Sequence, residues 1–353
     1  MAPDLEEVKA SGLIYTNDSS PGFYRNGKTG HFSYHNERGG VVKDLKHLDR
    51  IKALVIPPAW QNVWIASKAN AHLQVTGIDE AGRKQYKYHA KWTSRRSENK
   101  YYNLLEFGKA LPTARIQLVK DLKRKNFHER KVLAICVEVL QPSLIRVGNE
   151  SYKQLYGSFG LSTLRDKHVK IEGIKIKMTF VGKKGVQQDL EFTNRKLAGL
   201  VKKCRDIPGQ QLFQYYADCK EHRGIDSGKI NQYIKEITGD DFTAKDFRTW
   251  GGTLEALRQF AKCSQDEAAT SITSTKKQIV SVLDCVAAKL GNTRAVCKRS
   301  YVYPLLITAY EENNLNKYIK KLNKADIKNA ALHEDEKVLL SFLRDANKAK
   351  KKH

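Results

Sequence analysis

Four short segments of this sequence carry residue types suited to chemistry at a phosphodiester: 144–150 (LIRVGNE), 180–183 (FVGK), 244–250 (AKDFRTW), and 291–293 (GNT) followed by 298–304 (KRSYVYP). In-line attack at phosphorus needs a nucleophile, an acid for the departing oxygen, and donors for the equatorial oxygens as negative charge gathers on them. Tyr301 is the candidate nucleophile, Lys183 the candidate acid, and Arg146 with Arg248 the candidate donors. Singly, each has an ordinary reading: Arg146 in a core ion pair, Lys183 in a solvated turn, Arg248 on a helix face, Tyr301 as a packing aromatic. Their joint presence is what points to one site. Tyr303 and Tyr310 lie close to Tyr301, and only one of the three can align with a phosphorus atom.

The composition fits a polyanionic partner. Lys and Arg outnumber Asp and Glu by 63 to 38, a formal charge of +25, which attracts nucleic acid and releases counterions on binding. These basic residues are interleaved with aromatics and are not gathered on one amphipathic helix, so attachment to a membrane surface fits less well. The six cysteines, Cys136, Cys204, Cys219, Cys263, Cys285 and Cys297, form no C-x-x-C pair and have no histidine at zinc-finger spacing. They read as small core residues in a reducing compartment, and no metal site is expected. No segment has the roughly 20 apolar residues of a membrane span, and the N-terminus lacks the basic start and apolar run of a signal peptide. The expectation is a soluble intracellular protein, in which the N-x-S matches at Asn17 and Asn149 are coincidental.

The elements that must hold the four segments divide at about residue 100. The first hundred residues are rich in Gly, Pro and aromatics, with short alternating runs such as 30–35 (GHFSYH) and 85–89 (QYKYH), and they read as a small β-rich domain. The stretch 92–100 (WTSRRSENK) is polar and lacks apolar periodicity, the composition of a linker. The expected divisions are therefore 1–95, a hinge at 96–104, and 105–353. Beyond the hinge the period becomes helical. Residues 130–140 (RKVLAICVEVL) suit a mostly buried helix, and further helices are expected at 243–262, N-capped by Thr243, and at 274–290. Between them, 168–192 alternates β-branched and charged residues around two glycine turns, which predicts a three-stranded β-meander carrying Lys183. The fold class is α+β, and the C-terminal 348–353 (KAKKKH) reads as a frayed basic tail.

Residues 22–29 (GFYRNGKT) fit the G-x-x-x-x-G-K-[ST] expression of a phosphate-binding loop. Such a loop follows an apolar strand and opens a helix, whereas here a polar NDSSP precedes the match and an aromatic alternation follows it. A glycine turn between strands is the better reading, and no nucleotide is expected to bind.

Taken in order and at their separations, the four segments resemble the catalytic motifs of type IB DNA topoisomerases, especially the small poxvirus and bacterial enzymes. In the N-terminal part, 56–65 (IPPAWQNVWI), 72–77 (HLQVTG) and 82–89 (GRKQYKYH) are very similar to the bacterial form. The resemblance implies a small β-sheet domain joined to a larger, mainly α domain with a three-stranded meander, clamped as a monomer around duplex DNA. It implies that Tyr301 forms a 3′-phosphotyrosyl bond and releases a 5′-hydroxyl, that Lys183 protonates the leaving oxygen, and that Arg146 and Arg248 bind the nonbridging oxygens. The family pattern, in which the attacking tyrosine stands three residues before a proline, selects Tyr301 over Tyr303 and Tyr310. The resemblance also implies that neither metal nor ATP is required. The place of action is implied to be a bacterial cytoplasm or nucleoid, or a viral particle or its host cell.

Asn292 stands nine residues before Tyr301, where the poxvirus and eukaryotic enzymes have a histidine and the bacterial branch has asparagine. Asparagine can donate a neutral hydrogen bond to a phosphate oxygen but cannot titrate. Following Gly291, it can equally be a helix C-terminal cap. Gln85, Tyr86 and Tyr88 match a family strand facing the major groove, where Gln reads adenine and Tyr reaches phosphate, and Tyr152 matches another DNA-contacting position. Tyr86 and Tyr88 fall on one strand face and could also be core.

Two rival functions remain at this level. A tyrosine recombinase shares the Arg, Lys, Arg, Tyr chemistry, but its second motif reads H-x-x-R where this chain has Lys245-Asp246-Phe247-Arg248. A noncatalytic DNA-binding protein explains the charge but not the joint presence of every catalytic residue type.

Overall fold

In the computed structural model, residues 5–80, 82–217, 221–266, 271–322 and 332–350 are described, with backbone only at 96–102, 265–266 and 350. Packing divides the chain into two units, Met1–Tyr101 and Tyr102–His353.

The first unit is built on an antiparallel sheet of β1 (Gly22–Lys28), β2 (His31–Asn36), β3 (Gln61–Ala66), β4 (Leu73–Ile78) and β5 (Lys84–Tyr88), in the order β2-β1-β3-β4-β5. Helix α1 (Leu5–Ala10) precedes it and α2 (Leu45–Ala53) lies between β2 and β3. One face buries Phe23, Val63, Ile65 and Val75 with Ile51 of α2. Trp64 and Leu73 form a second cluster with Tyr88 against it. The alternation of strand side chains produces these two faces. The phosphate-loop match at 22–29 is strand β1 running into the turn before β2, with no helix following it.

The division at 101 and 102 falls within the expected hinge at 96–104, but the backbone there is helical, part of the 33-residue α3 (Ala90–Leu122). The polar stretch misled because Arg, Glu, Lys and Ser carry little apolar period yet disfavour helix only weakly.

The second unit continues with α4 (Glu129–Ser143) and α5 (Glu150–Tyr156), followed by the meander β6 (Val169–Glu172), β7 (Lys175–Val181) and β8 (Gln187–Thr193). Then come α6 (Arg195–Arg205), a hairpin of β9 (Gln214–Tyr216) and β10 (His222–Gly224), α7 (Ser227–Thr238), α8 (Ala244–Asp266) and α9 (Ile272–Leu290). The chain ends with α10 (Arg294–Ser300), α11 (Pro304–Glu311), α12 (Asn316–Leu322) and α13 (Glu334–Lys350). The meander and the buried helix α4 are as the sequence predicts. The β9–β10 hairpin was not anticipated, since three-residue strands leave too short an alternation to detect. Thr243 does precede α8: the Asp246 carboxylate accepts from its backbone N–H (2.8 Å) and its hydroxyl (2.9 Å), closing the first turn.

Helix α8 lies at the centre of the second unit. Phe107 of α3 meets Phe247 and Trp250 of α8 edge-on, and the crossing is close because α3 presents Gly108, whose added Cβ would fall 2.4 Å from Trp250. Buried Glu336 of α13 ties three helices, accepting from Arg115 (2.6 and 2.9 Å) and from Trp250 Nε1 (3.1 Å). Cys136, Cys204 and Cys297 are buried, as expected of core residues, but Cys285 is exposed because its side of α9 faces outward. Cys219 and the tail residues 351–353 lie outside the described residues.

Asp121 is the other internal tie. Its buried carboxylate accepts from Arg124 (2.9 Å), Arg130 (3.1 Å), Gln117 (3.0 Å) and the Tyr233 hydroxyl (2.9 Å), joining α3, α4 and α7. Burial pushes its pKa up, but the hydrogen bonds and the Arg130 charge together outweigh burial and hold it below the usual carboxylate range. Asp121→Ala should cost about 1–3 kcal/mol, because the buried Tyr233 hydroxyl loses its acceptor while the arginines turn to water. A carboxylate with a depressed folded-state pKa stabilises above its unfolded value and loses that effect as pH falls through the folded one. Denaturant melts should therefore show the wild-type advantage at pH 7 and its decline below about pH 4.

Candidate active site

Four of the five candidate catalytic residues meet where the ends of α4, α9 and α10 converge on α8. Helix α4 stops at Leu144, which adopts a left-handed conformation (φ 50°), buried and packed against Gly251 of α8. The turn releases two groups toward α8: the Leu144 carbonyl, which accepts from Arg248, and Arg146 two residues on. The following loop is pinned by Leu161 N–H donating to the Arg146 carbonyl (2.8 Å) and Ser162 N–H to that of Val147 (2.7 Å).

Helix α9 ends at Gly291, in the left-handed region (φ 57°). Its last carbonyls are directed at the two arginines: Leu290 accepts from Arg248 Nη2 at 3.0 Å, and Gly291 accepts from both Arg146 Nη atoms at 3.4 Å. Arg146 also donates to Asn292 Oδ1. A helix C-terminus carries partial negative charge, so it suits a guanidinium pair. Gly291 is thus the left-handed cap, and the Asn292 side chain faces Arg146. The Asn292 N–H does complete the helix end, donating to Ala287 at 3.0 Å. Asn292 Nδ2 and Arg248 Nε are buried donors without a hydrogen-bond partner among the described residues.

Tyr301 terminates α10, half-buried, with its ring 5.1 Å from the Arg248 guanidinium carbon. Burial raises the pKa of its phenol, but the charge and hydrogen bond of Arg248, with the charges of Arg146 and Lys245, overcome this and bring it below the usual tyrosine value. Tyr303 is buried, and burial pushes its phenol up to about 12. Tyr310, stacked on Phe260 at 4.2 Å and donating to Gln278, is also raised by burial. Electrostatics therefore separates the three tyrosines. A further residue, not anticipated from sequence, contacts this segment: the hydroxyl of Thr253, fully buried on α8, shares its proton between the Thr249 carbonyl (2.9 Å) and the Tyr301 carbonyl (3.1 Å) and accepts from the Tyr303 N–H (3.3 Å). Its only sequence signal is its place on the helix of Arg248.

Lys183 is not in contact with these four. It is exposed in the turn between β7 and β8, with Nζ 5.8 Å from the ring centre of Tyr152, an exposed residue of α5. Gln85, Tyr86 and Tyr88 lie on β5, at an edge of the first unit's sheet. Tyr86 is exposed and its ring lies parallel to that of Tyr88 at 6.3 Å, whereas Tyr88 packs on the cluster of Trp64 and Leu73. The Gln85 carboxamide donates to Asp79 at 2.8 Å. Among the described residues there is no cluster of His, Cys, Asp or Glu able to hold a metal ion, and no helix long and apolar enough to cross a membrane.

Residues 89–335 match the family model of the eukaryotic DNA topoisomerase I catalytic core, and residues 31–79 that of the bacterial DNA topoisomerase IB N-terminal domain. DNA topoisomerase 1B of Acanthamoeba polyphaga mimivirus is 31% identical over 296 residues, covering 83% of this chain and 88% of that protein. DNA topoisomerase I of monkeypox virus and DNA topoisomerase 1B of vaccinia virus are each 23% identical over 308 residues, covering 85% of this chain and 92% of theirs.

If Arg248 chiefly sets the state of the phenol, Arg248→Gln should return the Tyr301 pKa toward or above its ordinary value, since burial is then opposed only by the smaller effects of Arg146 and Lys245. Titration of ring-labelled tyrosine by NMR would show this, with Tyr303 unchanged as the internal reference.

Proposed function

The chain belongs to the type IB DNA topoisomerase family, and from that premise we propose that its reaction on duplex DNA runs through Tyr301, Lys183, Arg146, Arg248 and Asn292. The observation that carries this assignment is the depressed phenol of Tyr301 against the Arg248 guanidinium, within one hydrogen-bonded cluster with Arg146 and Asn292. Tyr301 Oη attacks the scissile phosphorus as the bond to the 5′-oxygen breaks, leaving a 3′-phosphotyrosyl link and a 5′-hydroxyl. Bond energy is conserved, so the reverse attack reseals the strand without ATP. Between the two steps, torsion in the DNA drives rotation about the intact strand.

The two guanidiniums take the nonbridging oxygens, where charge accumulates in the transition state. In the free protein their donors rest on backbone carbonyls and on the Asn292 carboxamide oxygen, neutral partners that a phosphate oxygen can displace. Asn292 Nδ2 is a donor awaiting such an oxygen, since a buried polar group left unpaired costs about 1–3 kcal/mol. Lys183 supplies the proton to the leaving 5′-oxygen. Tyr152 beside it, with Gln85, Tyr86 and Tyr88 of the first unit, contacts the DNA, with Tyr88 contributing mainly by supporting Tyr86. We read the protein as acting as a monomeric clamp, as the family resemblance implies. The free cysteines and the DNA substrate support an intracellular place of work, and no step calls for a metal or a nucleotide.

Supercoiled plasmid of either sign should relax in EDTA without ATP, and a strict ATP requirement would overturn the mechanism. Tyr301→Phe should abolish the covalent DNA adduct while leaving noncovalent binding intact, whereas Tyr303→Phe should still form it. An adduct from the Tyr301→Phe protein, seen by denaturing gel, reassigns the nucleophile.

Asn292→Ala should slow single-turnover cleavage by about 10²-fold, the usual effect of losing one donor to a developing oxyanion, with little change in DNA affinity. Asn292→His should retain much of the rate, because imidazole can donate to the same oxygen. Cleavage by Asn292→Ala at the wild-type rate, with only a lowered melting temperature, would confine Asn292 to holding the end of α9.

A further inference from the structure

Lys183 stands apart from the arginine cluster, so something must set the distance between them. Gln188 on β8, a side chain only 7% exposed, reaches from the meander to the arginine site. Gln188 pairs with Phe180 across the hairpin, so it sits directly beneath the turn that carries Lys183. Its Cγ occupies the space over Gly182, where an added Cβ would lie 2.9 Å away, and its carboxamide reaches Gly291, whose added Cβ would lie 2.1 Å from Oε1. The amide nitrogen donates back to the Gln187 carbonyl at 3.2 Å, which holds the side chain to its own strand. The residues at its two ends are the immediate neighbours of Lys183 and of Asn292, and Gly291 is itself an acceptor for Arg146.

We infer that Gln188 is a positioning residue for the proton donor: its side chain spans Gly182 and Gly291 and so fixes the Lys183 turn against the Arg146–Asn292 corner. This rests on the reading of Lys183 as the general acid. Both contacting residues are glycines, so the side chain lies against backbone at each end, its Cγ at Gly182 and its carboxamide at Gly291. Shortening the side chain leaves a gap over Gly291 and frees the lysine turn to drift, while the arginines, Asn292 and Tyr301 keep their own hydrogen bonds to α8 and α9. Misplacement by about 1 Å costs up to about 10²-fold in rate. The loss should therefore fall on the step that uses Lys183.

The test separates that step chemically. When the scissile 5′-oxygen is replaced by sulfur, the departing thiolate is stable without a proton, so an acid is not needed. Single-turnover cleavage is measured on matched oxygen and sulfur duplexes for wild type, Lys183→Ala, Gln188→Leu and Gln188→Ala. Lys183→Ala should lose about 10²-fold or more on oxygen, as expected for an absent general acid, and recover on sulfur. Gln188→Leu should lose roughly 10- to 100-fold on oxygen, within the range for misplacement, and also recover on sulfur, with Gln188→Ala giving the same signature if the leucine protein does not fold. Equal losses on the two substrates, or no loss on oxygen, with Lys183→Ala still rescued, would overturn the role of Gln188 and leave Lys183 in place. Failure of sulfur to rescue Lys183→Ala overturns the acid assignment, and the inference with it.

Discussion

Two guanidinium groups must be held side by side in a partly dry site without being neutralised, and much of the second unit follows from that constraint. A carboxylate between Arg146 and Arg248 would relieve their repulsion but would also cancel the field that the proposed mechanism turns on a phosphate. Among the described residues neither arginine is paired with a carboxylate. Their donors fall on carbonyls of Leu144, Leu290 and Gly291, which are dipoles of fixed orientation at helix ends. Carbonyl partners offset part of the desolvation while leaving the net charge intact. The same uncancelled charge reaches Tyr301 and lowers its phenol despite burial.

Supplying those carbonyls requires two helices to stop at defined places. Helix α4 stops at Leu144 and α9 at Gly291, each through a left-handed residue, and both ends abut the helix of Arg248. The two stops differ in chemistry. Gly291 takes the conformation without steric penalty, whereas Leu144 is a buried apolar residue in a region that disfavours it, retained because its side chain fills the space over Gly251. The glutamate and aspartate ties elsewhere, Glu336 and Asp121, lie where carboxylates can be used freely because no phosphate is awaited there.

The sequence made the class of fold and the residues of the site legible to different depths. The meander could be read because alternation and glycine turns are local signals, and helix α4 because its apolar run is long. The first turns of the 33-residue helix α3 could not, since the polar stretch 92–100 lacks the apolar stripe that begins at Leu104 and so resembles a linker. Arg146, Lys183, Arg248 and Tyr301 were named as chemical types, and the family motifs ranked Tyr301 above its neighbours. The physical ground for that ranking, a nearby guanidinium against simple burial, exists only once α8 and α10 are packed together. Thr253 and Gln188 were invisible for the same reason. Nothing in a lone threonine or glutamine says that it will end up against Tyr301 or Gly291, because those neighbours are far along the chain.

The attachment of the tyrosine segment also has a mechanical side. While one DNA strand turns about the other, any torque that reaches the broken end pulls on the residue bonded to it. If Tyr301 is that residue, as proposed, the load enters the backbone between two short helices, at a point where Val302 and Tyr303 are 0% and 1% exposed and the Thr253 hydroxyl lies between the Tyr301 carbonyl and the Tyr303 N–H. The ring of Tyr303 bears on Phe342 of α13, 6.1 Å away, so the pull is passed into the core rather than taken up by a loop. Such an anchorage lets the DNA spin while the phosphorus stays in register for the returning hydroxyl, so the tether can be stiff even though the strand it holds is free to turn.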